Sequence, residues 1–153
     1  RLPRRWRWTI DWREMLSTSA LEGAIELQLH DFMIDLDYLC EGCPAIRRVP
    51  RVIVVHGDGR PPHSAAATNE PARFVCLQPP CERFGTHHSK AIFIIKPHEL
   101  TVHVVTANFI YTDLHNKTNG VFTHRFPART LSQAPASAEG ASPTGFGADL
   151  ESY

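Results

Sequence analysis

The sequence predicts an α/β sandwich, because strand-like apolar runs alternate with stretches of helical pattern. The clearest strand is Arg51 to His56, where Val52 to Val55 form a continuous β-branched run that is typical of a buried central strand. Two further runs, Lys90 to Ile95 and Leu100 to Ala107, are separated by a four-residue turn and are predicted to pair as a hairpin. With 153 residues, 42% of them hydrophobic, the chain fits one domain with a real core.

Shorter signals predict the remaining elements. A partly helical lead-in is expected from Trp6 to Ser19, where Asp11 can cap a turn. Its Trp8, Trp12 and Met15 have roughly helical spacing and are expected to anchor the core. The other predicted elements are, in chain order, a strand within 24–34 in which Ile25, Leu27 and Leu29 alternate, a short helix from Asp35 to Leu39 that breaks at Gly42 and Pro44, a short helix from His63 to Asn69, a strand from Arg73 to Leu77, a polar irregular segment from Asp113 to Gly120, a short strand at Val121 and Phe122, a loop from Ser132 to Gly145, and the first turns of a helix from Phe146 to Tyr153.

Overall charge gives no argument for a nucleic-acid partner, since 16 basic residues balance 16 acidic ones. Five arginines crowd the first 13 residues, and a solvated basic terminus explains them more simply than a binding arm. No apolar run approaches the roughly 20 residues of a membrane helix, and no signal peptide is visible. We therefore expect no membrane partner. The first residue is Arg, so a trimmed or fragmentary chain is expected.

The four cysteines form two close pairs, Cys40 with Cys43 and Cys76 with Cys81. Such pairs can hold zinc, but the second is separated by four residues, two of them proline, which suits zinc poorly. We expect reduced thiols, no metal and an intracellular protein.

A histidine and a lysine two residues apart carry the chemistry. On a strand, His88 and Lys90 point the same way. The lysine suits neutralising a phosphate oxygen, and the histidine suits attacking the phosphorus or passing it a proton. Asn108 ends the next apolar run, so its amide can reach the same pocket if the two runs pair. His87 faces the opposite side and is expected to pack against the sheet.

Other histidines compete less well. A second His-x-Lys, His115 with Lys117, lies in a polar stretch without a strand behind it and is interpreted as loop. His56, at a strand end, is expected to be structural.

The segment Phe84 to Lys90 reads Phe-Gly-Thr-His-His-Ser-Lys. It resembles the nucleophile signature of the tyrosyl-DNA phosphodiesterase branch of the phospholipase D superfamily. Three more segments resemble that family in order: Val55 to Asp58, Ala107 to Ile110, and Asp113 to Gly120. The resemblance covers most of residues 20 to 125.

This resemblance implies a phospholipase D-like mixed β-sheet flanked by helices, one half of a pseudo-symmetric two-domain fold. We expect a lead-in at residues 1–19, a first half-domain at 20–131, a flexible loop at 132–145, and at 146–153 the start of a helix leading to an absent second half.

The resemblance also implies residue roles. His88 matches the nucleophile that forms a covalent phosphohistidine, while Lys90 and Asn108 match the groups that hold the non-bridging phosphate oxygens. Asn119 falls where the family has a carboxamide, usually Gln, that orients the nucleophile. The shorter side chain puts that orienting role in doubt.

Phe84, Gly85 and Thr86 are the implied substrate-binding residues. Gly85 allows a tight approach of backbone to ligand. Phe84 matches an aromatic that stacks near the DNA strand, and a core position beside the site is an equally good interpretation. The implied substrate is the 3′ end of single-stranded DNA carrying a phosphotyrosyl adduct left by topoisomerase I. No cofactor is implied, and the implied location is the nucleus, with cytoplasm or mitochondrion open.

Members of this family use two His-Lys-Asn sets, the second supplying the general acid. No histidine follows His124 and no lysine follows Lys117, so the nucleophile-bearing half alone is expected, with very low turnover. Two alternatives stay open: a non-catalytic fragment that binds single-stranded DNA, and a single-motif phosphodiesterase active as a homodimer.

Overall fold

A computed structural model describes residues 8–58, 64–128 and 144–153. The elements are α1 (Trp12–Met15), α2 (Thr18–Leu21), β1 (Glu26–Asp31), α3 (Leu36–Gly42), a 3₁₀ helix (Pro44–Arg48), β2 (Arg51–His56), α4 (Ala65–Asn69), β3 (Phe74–Leu77), β4 (Ala91–Lys96), β5 (Glu99–Val105), α5 (Tyr111–Asn116), β6 (Val121–Pro127) and α6 (Phe146–Ser152). The predicted loop at 132–145 falls almost wholly outside the described residues.

The strands form one six-stranded mixed sheet in the order β3-β2-β1-β4-β5-β6. β1, β2 and β3 run parallel, whereas β4, β5 and β6 pair antiparallel. The predicted mixed sheet flanked by helices is therefore confirmed. The predicted hairpin is confirmed too, with a tighter turn than expected, because Lys96 pairs with Glu99 and leaves only two residues in the loop.

Alternation along the strands divides the sheet into two faces. On one face, Leu27 and Leu29 of β1 pair with Ile94 and Ile92 of β4 in the main core. The opposite face carries a smaller core, against which Leu150 of α6 packs. Fully burying an aliphatic side chain stabilises a fold by about 1.5–3 kcal/mol. The four side chains that β1 and β4 place in the main core therefore hold the two strands in one register.

Short helices begin where side chains can satisfy free backbone N–H groups. Asp11, Ser17, Asp35 and Ser64 each accept a hydrogen bond at the start of a helix. The predicted capping by Asp11 is thus confirmed.

The lead-in contributes to the main core, as predicted for two of its three apolar residues. Trp12 and Met15 are buried there. Trp8, by contrast, is fully exposed, so its prediction as a core anchor is wrong.

The prediction of an irregular segment from Asp113 to Gly120 is wrong for its first four residues, because α5 extends to Asn116. An ion pair between Asp113 and Lys117 spans one turn of it. Likewise β6 covers seven residues rather than two. It forms the edge of the sheet, with a largely exposed surface that gives little apolar pattern.

Candidate active site

The site lies at the end of the sheet where β1 and β2 finish and β4 begins. β1 pairs with β4 antiparallel up to His30 opposite Ala91. The next step of the same register places Asp31 opposite Lys90. Asp31 also pairs with His56, the last residue of the parallel strand β2. Asp31, His56 and Lys90 therefore share one row on the face of the main core.

His88 and Lys90 meet, although β4 begins at Ala91 and both residues precede it. The Lys90 ammonium donates to the carbonyl oxygen of His88 at 3.0 Å and lies 3.2 Å from its Nδ1. An ammonium only donates, so Nδ1 is the acceptor in this contact, and the ring proton of a neutral His88 is assigned to Nε2. The Lys90 side chain is buried, whereas His88 is exposed and stacks on Phe32 with 5.4 Å between ring centroids. The arrangement fixes an ammonium beside an accessible imidazole.

Asp31 supplies the countercharge beneath Lys90. Its Oδ1 lies 3.6 Å from the lysine Nζ, and the carboxylate is fully buried. Oδ1 also accepts from the backbone N–H of Phe32, and Oδ2 from that of Phe109, both at 2.6 Å. Burial raises the pKa of Asp31 to about 7, although Lys90 and these hydrogen bonds oppose the rise.

Asn108 follows β5 and is held by a second buried carboxylate. Its backbone N–H and its Nδ2 donate to Asp113 Oδ2 at 3.1 and 2.9 Å. The hydrogen bond from Lys117 is the largest of the causes that lower the pKa of Asp113. The Asn108 Oδ1 is buried and has no hydrogen-bond partner in the described part of the chain. Because Phe109 is bonded to Asp31, the structure brings Asn108 to the same end of the sheet as Lys90.

The segment that carries the nucleophile candidate crosses directly over Gly57. A Cβ on Gly57 would stand only 1.9 Å from the His87 carbonyl oxygen. The Thr86 hydroxyl donates to the Gly57 carbonyl at 3.0 Å. At Gly85, the residue interpreted as the close-approach glycine, a Cβ would meet its nearest neighbour at an ordinary 3.4 Å. The close packing that positions this segment is therefore at Gly57.

His87 packs behind the segment, as expected. Its ring lies 5.8 Å from that of His30 and 6.1 Å from that of Tyr153. The Tyr153 hydroxyl bridges both histidines, at 3.2 Å from His30 Nδ1 and 3.4 Å from His87 Nε2. Burial, with the neighbouring His87 as the second cause, lowers the pKa of His30 to about 4. Burial also lowers the pKa of His87, with Lys90 as the next cause.

Phe84 stands out from the surface. Its side chain is 90% exposed, and the Arg83 guanidinium lies 5.0 Å from the centre of its ring. The interpretation of Phe84 as a core residue is wrong. Its ring is accessible, as stacking on a DNA base would require.

The structure places Asn119 just after α5, two residues beyond its C-cap Lys117. Its Nδ2 donates to the carbonyls of Asp113 and Lys117, at 2.9 and 3.3 Å. Its Oδ1 accepts from Thr106. The hydrogen bonds of Asn119 within the described residues thus go to its own neighbourhood rather than to His88.

The second His-x-Lys pair is not a loop. His115 belongs to α5 and stacks on Tyr111. Lys117 caps that helix and bonds Asp113. His56 is buried and its Nδ1 is bonded to the Asp58 carbonyl oxygen, which agrees with a structural role.

Cys40 and Cys43 are buried, and burial raises the pKa of each thiol to about 11. Within residues 8–58, 64–128 and 144–153, no group of three or more His, Cys, Asp or Glu side chains is placed to hold a metal ion. None of the helices described in those ranges is long and apolar enough to cross a membrane.

A family model described as tyrosyl-DNA phosphodiesterase matches residues 4–153. The chain belongs to the tyrosyl-DNA phosphodiesterase family. Tyrosyl-DNA phosphodiesterase 1 of Arabidopsis thaliana is 34% identical over 148 residues, which are 94% of this chain and 24% of that protein. The family predicted from the Phe84 to Lys90 signature is therefore confirmed, and the chain spans about a quarter of the length of this relative.

Solved structures of the yeast tyrosyl-DNA phosphodiesterase are also similar. One has a TM-score of 0.49 and 19% identity, and covers 61% of this chain and 24% of that one. A mutant of the yeast protein gives a TM-score of 0.48 at the same identity, with 61% and 23% covered.

Three residues of this candidate site have no role assigned from the sequence, namely the buried carboxylates Asp31 and Asp113 and the glycine Gly57. Asp31 continues the inward alternation of Leu27 and Leu29, so a charged residue on the buried face of a strand was a usable signal. Asp113 and Gly57 lie within two of the family-like segments, but the contacts of Asp113 with Asn108 and of Gly57 with the His87 carbonyl became visible only in the structure.

Proposed function

We propose that the full-length protein hydrolyses 3′-phosphotyrosyl DNA through a covalent phosphohistidine, and that this chain is the part that bears the nucleophile. The observation that carries the proposal is the buried Lys90 ammonium fixed 3.2 Å from the exposed ring of His88. A fixed cation beside an accessible nucleophile suits attack on a phosphodiester, where negative charge on the non-bridging oxygens must be stabilised. Action on DNA agrees with a nuclear location.

In the proposed step, an oxygen of the incoming phosphate replaces His88 Nδ1 as the acceptor for the Lys90 ammonium. Nδ1 of His88 is then free to carry the ring proton, and the outward Nε2 has the lone pair that attacks phosphorus. The P–Nε2 bond forms as the bond from phosphorus to the tyrosyl oxygen breaks. Asn108 has a second N–H on its amide beyond the one bonded to Asp113, and that hydrogen is available to a phosphate oxygen.

The leaving tyrosyl oxygen needs a proton, and water must later be activated to release the phosphohistidine. We assign both tasks to a second histidine set in the remaining length of the full protein. The orienting role of Asn119 stays a prediction, and it requires the Asn119 amide to leave the Asp113 and Lys117 carbonyls when the substrate is bound.

The test mixes the chain with a 3′-phosphotyrosyl oligonucleotide and traps the covalent adduct by denaturation. Wild-type protein is expected to form an adduct slowly and turn over poorly, and His88→Ala is expected to form none. His115→Ala, from the second His-x-Lys pair, is the matched control and should behave as wild type. An adduct that persists in His88→Ala shows that the nucleophile is assigned wrongly.

The exposed ring of Phe84 favours a second candidate, a module that binds single-stranded DNA without catalysis. A polar cleft of about 350 Å³ lies beside it, lined by Gly57, Gln78 to Glu82 and Gly85 to His87. A larger cavity of about 670 Å³ lies against the lead-in, β5 and α5, and neither His88 nor Lys90 lines it. Binding that weakens with salt and survives His88→Ala supports the second candidate, whereas salt-independent binding contradicts it.

A further inference from the structure

Asp31 is a buried charged group that the proposed reaction leaves without a task. Its carboxylate is fully inaccessible to solvent, and charged side chains are almost never fully buried unless they are paired. All of its partners are donors: the Lys90 ammonium at 3.6 Å, and the backbone N–H groups of Phe32 and Phe109 at 2.6 Å each. Such surroundings match a carboxylate held in place for a reason beyond packing.

The two oxygens of Asp31 reach the two arms of the phosphate clamp separately. Oδ1 faces Lys90, which stands in the same row across the β1–β4 pairing. Oδ2 accepts from the N–H of Phe109, the residue directly after Asn108, and that N–H also donates to the Met33 carbonyl at 3.1 Å. Lys90 precedes β4 and Asn108 follows β5, and the Val105 N–H donates to the Lys90 carbonyl at 3.0 Å, so the two strands already pair here. Asp31 adds a side-chain link from the Lys90 ammonium to the segment that carries Asn108.

We infer that Asp31 is a positioning residue that holds Lys90 and the Asn108–Phe109 segment together as one phosphate clamp. The inference rests on the proposed function, since it assumes that Lys90 and Asn108 bind a phosphate. Asp31 itself touches no reacting atom.

A simple electrostatic role makes the opposite prediction. A negative charge beside an anion site repels the anion, so its removal with the geometry kept should tighten phosphate binding. Loss of positioning should weaken it. In Asp31→Asn, one oxygen becomes an NH₂ group, which must face either the Lys90 side or the Phe109 N–H. Either way a buried donor meets a donor, and that arm of the clamp is displaced.

The experiment titrates inorganic phosphate into the isotope-labelled chain at about pH 8, above the pKa near 7 that burial gives Asp31. NMR follows the Lys90 ammonium and the Phe109 amide. Asp31→Asn should weaken phosphate binding by about tenfold, the loss expected for a charged hydrogen bond. It should also broaden or remove the Lys90 ammonium signal, which a merely structural role would not do.

Asp37→Asn is the matched control. Asp37 also accepts backbone N–H groups, from Ala65 and Ala66, but at the start of α4 and away from the clamp. The phosphate affinity of the Asp37→Asn variant should stay within about twofold of wild type, because distant sites act independently. In a Lys90→Met background, Asp31→Asn should cost much less affinity, since the ion pair through which it acts is gone.

Equal or tighter phosphate binding by folded Asp31→Asn overturns the inference and leaves the proposed function standing. If Asp31→Asn does not fold, Asp31→Glu carries the same test, because it keeps the charge and displaces it by one methylene. Weaker binding by that variant supports positioning, and unchanged binding overturns it. A wild-type chain whose Lys90 and His88 signals ignore phosphate overturns the proposed function, and the inference with it.

Discussion

Replacing Gly57 with alanine should displace His88, the proposed nucleophile, without contacting its side chain. The added Cβ would stand 1.9 Å from the His87 carbonyl oxygen and 2.9 Å from Phe32 Cδ2. Ordinary contact begins at 3.4 Å, so the His87 carbonyl must withdraw by about 1.5 Å, and His88 is the next residue in the chain. Overpacking of this kind costs about 1–3 kcal/mol of stability. A misplacement of about 1 Å in a catalytic group can cost on the order of 100-fold in rate.

The assay for Gly57→Ala is the rate of adduct formation with the phosphotyrosyl oligonucleotide, alongside thermal unfolding. We expect a folded protein with a lower melting temperature and an adduct rate reduced by on the order of 100-fold. Gly147→Ala in α6 is the control, because nothing lies within 4 Å of its added Cβ and its backbone is not left-handed. A folded Gly57→Ala protein that forms the adduct at the wild-type rate refutes the reasoning, as does equal damage by both substitutions.

Two other predictions concern pH and DNA. Burial raises the pKa of Asp31 from 3.8 to about 7, so folding loses stability as pH rises from 4 to 7, by at most about 4 kcal/mol. His30 acts oppositely, because its pKa falls from 6.5 to about 4 and neutral imidazole is favoured by folding as pH rises through that window. In urea unfolding, the free energy of unfolding of the wild type should therefore change little between pH 4 and pH 7, whereas that of Asp31→Asn should rise. Parallel dependences of the two proteins on pH would contradict this. Phe84→Ala should weaken single-stranded DNA binding by about 1–3 kcal/mol in a fluorescence titration. Phe122→Ala, at the edge of the sheet, is the control and should leave DNA binding unchanged. Equal losses of affinity in both variants would show that Phe84 does not belong to the DNA site.

The elements with local apolar signals were predictable. The β-branched run of β2, the alternation of β1 and the hairpin of β4 and β5 all depend on residues near one another in the chain, and all are present. The structure also pairs His88 with Lys90 in space, as their spacing indicated. Phe84 needed the structure, because only its exposure separated a stacking residue from a core residue.

The parts that escaped prediction depend on distant residues. α5 is polar and short, and contacts such as that of Tyr38 with Tyr111 help to hold it rather than an apolar period. The close approach at Gly57 involves His87, thirty positions away along the chain. The alternation of β1 marked Asp31 as a buried charge, but its partner Lys90 became visible only from the register of β1 with β4. A single sequence does not specify such pairings.

The pairing of Asp31 with Lys90 also bears on how the sheet assembles. A one-residue slip of β4 along β1 would turn Lys90, the residue before β4, to the opposite face of the sheet. The slip would leave the buried Asp31 carboxylate without its cation, and breaking a buried ion pair from one side costs about 3–5 kcal/mol. The same two charges that meet in the candidate site thus penalise the misaligned sheet during folding.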